Sequence, residues 1–122
     1  MSSWQYCIST GAFSLDGILY GYGYSGHGEG LNNSKLTNVP NEGPVPVGEW
    51  SLSDSYTHVD LGPLVFNLTP QPGTQTFGRA LFRIHGDNSS LNHTASDGCI
   101  ILSRQVRIAV DQSEVRTLTV VA

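Results

Sequence analysis

The sequence predicts a mainly β protein that is rich in turns. Charged residues occupy 13% of its 122 positions, about half the usual share for a globular domain, and there are 14 glycines. Surface helices are usually rich in glutamate and lysine, whereas this chain contains a single lysine, Lys35. The length suits one modest hydrophobic core, and no repeat or composition change marks a boundary. We therefore predict a single domain over residues 1–122.

The N-terminal third predicts antiparallel strands. Apolar and polar residues alternate from Trp4 to Ile8, as in a half-buried strand, with Cys7 interpreted as a small structural residue. Segments 12–15 and 18–20 flank Asp16-Gly17, a dipeptide that favours the type I′ turn of a two-residue hairpin. The stretch from residue 21 to 30 is too glycine-rich for a regular element, so we predict a long loop that continues to Pro40.

The second half of the chain alternates rigid turns with short strands. Prolines within residues 43–48 favour an extended, stiff segment, and residues 70–78 predict a turn or loop. Ser103 is a candidate N-cap for a short helix with Val106, Ala109 and Val110 on one face. The remaining strands are predicted at residues 49–53, 64–68, 80–85 and 117–121.

Charge and hydropathy argue against several classes of function. The net charge is −4 and no cluster of Lys or Arg is present, so we expect neither nucleic-acid binding nor a basic membrane-binding face. No apolar run approaches the roughly 18 residues of a membrane span. The N-terminal residues 1–5 lack the charged and apolar regions of a secretory signal peptide. We therefore expect synthesis in the cytoplasm.

The densest group of reactive side chains lies between residues 79 and 99. Strand alternation places Arg79, Leu81, Arg83 and His85 on one face, and directs Ala80, Phe82 and Ile84 to the core. Two arginines and a histidine are unusual on a buried structural surface. They suit a cleft that receives an anionic substrate.

Cys99 follows the turn-forming residues Ser96-Asp97-Gly98. Glycine before a thiol permits a tight turn whose backbone N–H groups could form an oxyanion hole. A thiol also needs a nearby base or cation to become a nucleophile, and His85 can supply the base. Two alternatives stay open: a disulfide between Cys7 and Cys99, and a zinc site. His85, His93, Asp97 and Cys99 could offer zinc ligands, but the sequence has no Cys-x-x-Cys or His-Glu-x-x-His signature, so we expect neither a metal nor another cofactor.

Several motifs in order resemble those of the L,D-transpeptidases of peptidoglycan, which share the YkuD-type catalytic domain. The resemblance is closer to the L,D-transpeptidase-like toxins delivered by bacterial type VI secretion systems, and it covers most of the chain. It is carried by Gly23-Tyr24-Ser25-Gly26 with Asn32-Asn33, by Gly43-Pro44-Val45-Pro46-Val47-Gly48, by Gly78-Arg79, by Ile84-His85-Gly86-Asp87 and by Ser96-Asp97-Gly98-Cys99-Ile100.

The resemblance implies a β-sandwich or open barrel with one or two short helices and a long glycine-rich loop. It implies an antibacterial cysteine L,D-carboxypeptidase or L,D-transpeptidase that acts on peptidoglycan tetrapeptide stems through a thioester on Cys99. His85 would be the general acid and base, with a backbone carbonyl orienting its ring, and Gly86 would be a substrate-binding position. Amides at Gly98 and Cys99 would bind the oxyanion. The remaining positions that it implicates are Ser96 and Asp97 beside the thiol, and Tyr24, Ser25 and His27 in a wall of the cleft.

The chain departs from the ordinary transpeptidase motif at two positions. Asp97 stands where the motif has histidine, and it is either a catalytic neighbour or only a turn residue. Ile101 stands where the motif has an arginine that contacts substrate or oxyanion. We therefore expect Arg83 or Arg79 to take over that contact.

The resemblance also implies partners and a place of action. A secretion carrier component would deliver the protein to the periplasm of target bacteria, and a cognate immunity protein in the cleft would protect the producer from its siblings' toxin. Two other functions remain as alternatives: a catalytically silent module that binds peptidoglycan, and a housekeeping L,D-transpeptidase.

Overall fold

The computed structural model describes residues 2–122 and confirms a mainly β architecture. Apart from the strands and one α-helix, two short 3₁₀ helices cover Gly28–Gly30 and Ser34–Leu36. The elements in chain order are β1 (Trp4–Cys7), β2 (Ala12–Leu15), β3 (Ile18–Tyr22), β4 (Tyr24–Ser25), β5 (Gly48–Leu52), β6 (Tyr56–His58), β7 (Gly62–Pro70), β8 (Arg83–His85), β9 (Ile100–Ile101), α1 (Arg104–Gln112) and β10 (Thr117–Val121).

The strands form a sheet that curls into a nearly closed barrel. Their order is β3-β2-β1-β10-β5-β7-β8-β9-β4, with β6 paired to β7 outside this path. The two edge strands, β3 and β4, are separated in the chain by Gly23 alone, so one bend carries the backbone from the first edge to the last. A Cβ at Gly23 would lie 2.1 Å from the Ile101 carbonyl oxygen, which excludes any side chain at this bend.

Local signals in the sequence predict the hairpin correctly. Leu15 pairs with Ile18, and the two residues between them have positive φ angles of 51° at Asp16 and 81° at Gly17. These angles are those of the predicted type I′ turn.

The core is a layer of aromatic and aliphatic side chains closed on one side by α1. Trp4 and Trp50 are fully buried in it, together with Phe13 and Phe66. The helix prediction is confirmed: the Ser103 hydroxyl accepts a hydrogen bond from the Val106 N–H at 3.3 Å. Val106 and Val110 then face the core, whereas Ala109 is only half-buried.

Replacing Ser103 by alanine is expected to destabilise the protein by about 1 kcal/mol, because an N–H at the helix start loses its acceptor. Urea denaturation would measure the change. Ser89→Ala is the matched control, since Ser89 is exposed on a loop and its hydroxyl forms no hydrogen bond within residues 2–122. Equal stability of the two variants would contradict this role for the cap.

The predicted strand over residues 80–85 is wrong in its first half. The strand begins only at Arg83, and Leu81 adopts a positive φ of 64° that interrupts the alternation. Phe82 and Ile84 are buried as predicted, but Ala80 is exposed instead of facing the core. Period-two reasoning fails across a residue in the left-handed region, because the chain direction changes there.

The glycine-rich segment also contains regular structure that we did not predict. Tyr24 and Ser25 form strand β4 by pairing with Ile101 and Ile100 of β9, more than 70 positions later in the chain. Such a short strand exists only because its distant partner is in place. None of the helices within residues 2–122 has the length and apolar character of a membrane-spanning segment.

Candidate active site

The site lies where β8 runs parallel to β9. Ile84 pairs with Ile100, so Arg83 lies directly beside Cys99, which immediately precedes β9. Because side chains alternate along a strand, Arg83, His85 and Cys99 share one face of this strand pair. Neighbouring strands lie about 4.8 Å apart and two residues advance a strand by about 6.6 Å, which places the imidazole diagonally from the thiol.

A cleft of about 270 Å³ opens over these three side chains. Leu61 and Leu81 form apolar parts of its lining, and Leu81 is 73% exposed at its rim. The other lining residues are Asn41, Ala80, Phe82, Ala95, Asp97 and Gly98.

Cys99 is half-buried, and its thiol is held by the backbone around it. The Sγ atom donates to the Leu81 carbonyl oxygen at 3.7 Å and forms no hydrogen bond with His85. Burial raises the pKa of the Cys99 thiol, while the Arg83 backbone N–H and the Arg83 charge lower it by less. The resting thiol is therefore protonated near neutral pH and requires a base during reaction.

His85 is suited to be that base. Its side chain is 3% exposed, and Nδ1 lies 2.8 Å from the Gly86 carbonyl oxygen. A carbonyl can only accept, so Nδ1 carries the proton and Nε2 is left with its lone pair. Burial lowers the pKa of His85, with smaller contributions from the Arg107 and Arg83 charges, so the imidazole is neutral at pH 7.

A buried serine shapes the turn that presents the thiol. The Ser96 hydroxyl donates to the Cys99 carbonyl oxygen at 2.6 Å and accepts from the backbone N–H groups of Gly26 and Gly98 at 2.8 and 3.1 Å. The Gly98 N–H, expected to serve an oxyanion hole, therefore has a partner inside the protein.

The glycine-rich segment donates hydrogen bonds to the backbone of the turn that precedes Cys99. The buried Ser25 hydroxyl donates to the Gly98 carbonyl oxygen at 3.3 Å and accepts from the Val45 N–H at 2.8 Å. His27 Nδ1 donates to the Ser96 carbonyl oxygen at 2.8 Å and lies 3.4 Å from the Asp97 carboxylate.

Tyr24 joins the two ends of the loop between His85 and Cys99. Its hydroxyl donates to Asp87 at 2.7 Å and accepts from the Ala95 N–H at 3.1 Å. Tyr24, Ser25 and His27 do not line the cleft at Cys99, which differs from the cleft wall expected for them. Their contacts position the loop instead.

The two arginines expected to bind substrate have different environments. The Arg79 guanidinium lies 5.1 Å from the centre of the Phe82 ring. Four of its five N–H donors are directed at backbone carbonyls, those of Thr37, Gly43, Pro44 and Asp97. By contrast, Arg83 lines the cleft, and its buried Nε has no hydrogen-bond partner within residues 2–122. Arg83 is therefore the cation available to a ligand.

Sequence reasoning missed two residues that act on the site. Leu81 contributes its carbonyl to the thiol, and a leucine with positive φ gives no signal in sequence. Arg107 on α1 is 8% exposed, and its Nη2 would lie 2.6 Å from a Cβ at Gly86. A lone arginine on the apolar face of the predicted helix was the available signal for this contact.

The geometry bears on the two alternatives left open for Cys99, which are a disulfide with Cys7 and a zinc site. Cys7 and Cys99 are both free thiols. Within residues 2–122, no three His, Cys, Asp or Glu side chains are grouped so that they could hold a metal ion. His93 lies against the ring of Tyr24, with the ring centres 4.9 Å apart.

Replacing Arg83 by methionine is expected to slow alkylation of Cys99 by iodoacetamide severalfold at pH 7.5. Loss of the cation raises the thiol pKa further above its ordinary value, so less thiolate is present. Alkylation rates measured against pH in a Cys7→Ala background would show the curve displaced to higher pH. Arg83→Lys should keep most of the original profile, and an unchanged profile in Arg83→Met would contradict this electrostatic role.

Comparison with known proteins adds one finding. The model of a protein family described as the Tlde1 domain matches residues 21–122. The matched region includes every residue of the cleft and leaves out β1, β2 and most of β3. Neither a curated protein nor a solved structure matches the chain.

Proposed function

We propose that this chain, which belongs to the Tlde1 family of type VI secretion effectors, is a cysteine enzyme that cleaves peptidoglycan tetrapeptide stems. The observation that carries the proposal is the pairing of β8 with β9, which puts the Cys99 thiol, a neutral His85 and an unpartnered Arg83 in one cleft. These are the groups that nucleophilic acyl transfer requires: a nucleophile, a base and a group that stabilises negative charge.

The first half-reaction forms a thioester. His85 Nε2 accepts the thiol proton as Sγ attacks the carbonyl that follows the L-centre of meso-diaminopimelate. The carbon–sulfur bond forms and the carbonyl oxygen becomes an oxyanion. His85 then gives its proton to the departing amine, the carbon–nitrogen bond breaks, and D-alanine leaves. For this step the thiol must turn away from the Leu81 carbonyl and towards His85.

Arg83 serves this step in two ways. Its backbone N–H, which helps to lower the pKa of the Cys99 thiol, is a candidate donor to the developing oxyanion. Its guanidinium holds a carboxylate of the stem, in place of the arginine that ordinary transpeptidases carry where this chain has Ile101. Arg79 is a positioning residue in this account, since its donors already bind backbone carbonyls.

The second half-reaction depends on the acceptor. Water yields a tripeptide and free thiol, which is L,D-carboxypeptidase activity. A D-amino acid yields an exchanged stem, and the amine of a second stem yields a 3–3 cross-link. In each case His85 accepts a proton from the acceptor as the carbon–sulfur bond breaks, and the proton returns to the thiol.

The same proposal covers delivery and protection. A secretion carrier component brings the protein to the periplasm of a target bacterium, where stem peptides are exposed. A cognate immunity protein closes the cleft in cells of the producing strain. The exposed Leu81 at the cleft rim supports this, because it offers an apolar contact beside the catalytic thiol.

One observation favours a second candidate. The thiol bonds the Leu81 carbonyl rather than His85, which is also the arrangement expected of a catalytically silent module that only binds peptidoglycan. The enzyme would convert the tetrapeptide stem into product, whereas the silent module would bind the stem and leave it unchanged.

Liquid chromatography–mass spectrometry of disaccharide-tetrapeptide incubated with the protein, with and without D-methionine, tests the proposal. We expect loss of D-alanine to give tripeptide, or replacement of D-alanine by D-methionine. Protein alkylated with iodoacetamide is the control and should leave the tetrapeptide intact. Unchanged tetrapeptide with folded, untreated protein would overturn the enzyme proposal in favour of the silent module.

A further inference from the structure

A second cavity, of about 530 Å³, is roughly twice as large as the cleft at Cys99. One of its walls is Ile101, which follows Cys99 by two residues and therefore projects from the same strand face, about 6.6 Å further along. The loop after β8 separates the two sites, since its residue Leu91 lines the cavity and its residue Ala95 lines the cleft. A ligand in this cavity would lie beside the reaction centre without occupying it.

Two arginines of α1 line the cavity. Arg104 and Arg107 have the i, i+3 spacing that places two side chains on one face of a helix. Arg107 is 8% exposed, and its Nε and Nη1 donate to the Leu102 and Pro63 carbonyl oxygens at 3.1 and 2.9 Å. Its Nη2 donates no hydrogen bond within residues 2–122. Arg104 is exposed and has no partner for its guanidinium in the described part of the chain.

Neither arginine has a counterion. No carboxylate within residues 2–122 forms an ion pair with either guanidinium, although buried arginines are nearly always paired. Burial lowers the pKa of Arg107, and the charge of Arg104 lowers it further. Asp87 also lines the cavity, but its Oδ1 accepts from the Tyr24 hydroxyl and from the Asn88 N–H. The cavity therefore carries a net positive charge.

The position of Arg104 is unfavourable for stability alone. It is the first residue of α1, where the helix macrodipole disfavours a cation and favours an anion. Arg107 follows on the same face, so the two positive charges repel each other. Natural sequences keep such local conflicts mainly at functional sites. An anion bound between the two guanidinium groups would offset the repulsion and would also face the start of the helix.

We propose that this cavity binds a carboxylate of the peptidoglycan stem that is remote from the scissile bond, with Arg104 and Arg107 as its partners. The inference rests on the proposed function and adds a specificity site to it. Two groups supply such a charge: the free carboxylate of D-glutamate and that of the diaminopimelate side chain. In an extended stem they lie roughly 7–9 Å from the scissile carbonyl, the length of two to three residues. The advance from Cys99 to Ile101 is of the same order.

The other walls suit the same ligand. A guanidinium binds a carboxylate through two parallel hydrogen bonds, which fixes the orientation of the bound group. Tyr22 and Leu91, which are 65% and 72% exposed, add apolar surface for the methylene groups of the stem. A few charged groups within a largely apolar cavity of several hundred Å³ are typical of a ligand site.

The variant Arg104→Met tests the site. We expect the KM for tetrapeptide to rise about threefold to tenfold with kcat nearly unchanged, because the lost contact is remote from the reacting atoms. The urea midpoint should not fall, whereas loss of a structural arginine would lower it. Lys35→Met is the charge-matched control and should keep the wild-type KM, since Lys35 is exposed and lines neither cavity. In an active enzyme, an unchanged KM for Arg104→Met overturns the site.

Amidated substrates identify the carboxylate. If D-glutamate supplies it, a stem with D-isoglutamine has the raised KM already with the wild-type protein, and Arg104→Met adds no further loss. If diaminopimelate supplies it, the stem amidated on the diaminopimelate side chain behaves in this way instead. The carboxylate assignment is overturned if Arg104→Met raises the KM of both amidated stems as much as that of the parent stem.

A binding measurement separates failure of the site from failure of the enzyme proposal. The tripeptide L-alanyl-γ-D-glutamyl-diaminopimelate and its fully amidated form are titrated into the Cys99→Ala protein while the ring resonances of Tyr22 and Tyr24 are followed by NMR. We expect tighter binding of the acidic form, by a margin that Arg104→Met reduces. Equal binding of the two forms, or a margin that Arg104→Met leaves unchanged, overturns the site. An inactive wild-type protein with an Arg104-dependent margin overturns the enzyme proposal and supports the site.

Discussion

Replacing Cys99 by alanine is expected to abolish release of D-alanine from disaccharide-tetrapeptide, with a loss of at least about a thousandfold. The sulfur is the atom that forms the covalent bond in the proposed reaction, and among residues 2–122 no other thiol or hydroxyl side chain lines the cleft beside His85 and Arg83. Liquid chromatography–mass spectrometry of the tripeptide product would measure the loss. Circular dichroism would show that the half-buried thiol can be removed without unfolding the barrel.

The matched control for this prediction is Cys7→Ala. Cys7 lies in β1, which four strands separate from β9 in the sheet order, and it is also a free thiol. We expect that variant to retain wild-type turnover. Equal activity of the two alanine variants would remove Cys99 from the mechanism.

Replacing Arg79 by methionine is expected to have the largest effect on stability, about 2–4 kcal/mol. The guanidinium joins three segments by donating to the carbonyls of Thr37, of Gly43 and Pro44, and of Asp97. Methionine keeps the apolar stem but leaves these carbonyls without a donor. Burial lowers the pKa of Arg79, although not enough to remove its charge. Urea denaturation would measure the free energy of unfolding.

A second readout separates the positioning role of Arg79 from general destabilisation. Its Nη2 donates to the Asp97 carbonyl and lies against Gly98, so its loss should also change the rate at which Cys99 is alkylated in the folded state. Arg104→Met is the control, because Arg104 is exposed on α1 and forms no hydrogen bond or ion pair within residues 2–122. It should change stability by less than about 0.5 kcal/mol. Similar stability of the Arg79→Met and Arg104→Met variants would contradict the proposed role of Arg79 in joining the three segments.

The parts of the fold predicted correctly depend on neighbours in sequence. Asp16-Gly17 specifies its own turn, and Ser103 caps the helix that begins one residue later. Strand β4 could not be predicted in this way, because Tyr24 and Ser25 form a strand only through pairing with Ile101 and Ile100. Pairings between distant segments leave little trace in local composition.

In the candidate site, too, the features set by neighbours in sequence were predictable, and those set by the three-dimensional structure were not. Alternation placed Arg83 and His85 on one face, and both line the cleft with Cys99. It also grouped Arg79 with them, but the positive φ of Leu81 interrupts the strand and Arg79 turns towards backbone carbonyls instead. A Gly-Cys turn permits an oxyanion hole, and the sequence therefore predicts that role for the Gly98 N–H. Its actual partner is the hydroxyl of Ser96, a contact set by the three-dimensional shape of the turn.

The central claim is that Cys99 forms a thioester with the stem peptide. Intact-protein mass spectrometry after brief incubation with disaccharide-tetrapeptide and an acid quench tests it most directly. We predict an added mass equal to the substrate minus D-alanine, which digestion would map to the peptide containing Cys99 and which the Cys99→Ala protein would lack. D-Alanine release without any adduct on Cys99, or an adduct carried by Cys7, would contradict the account.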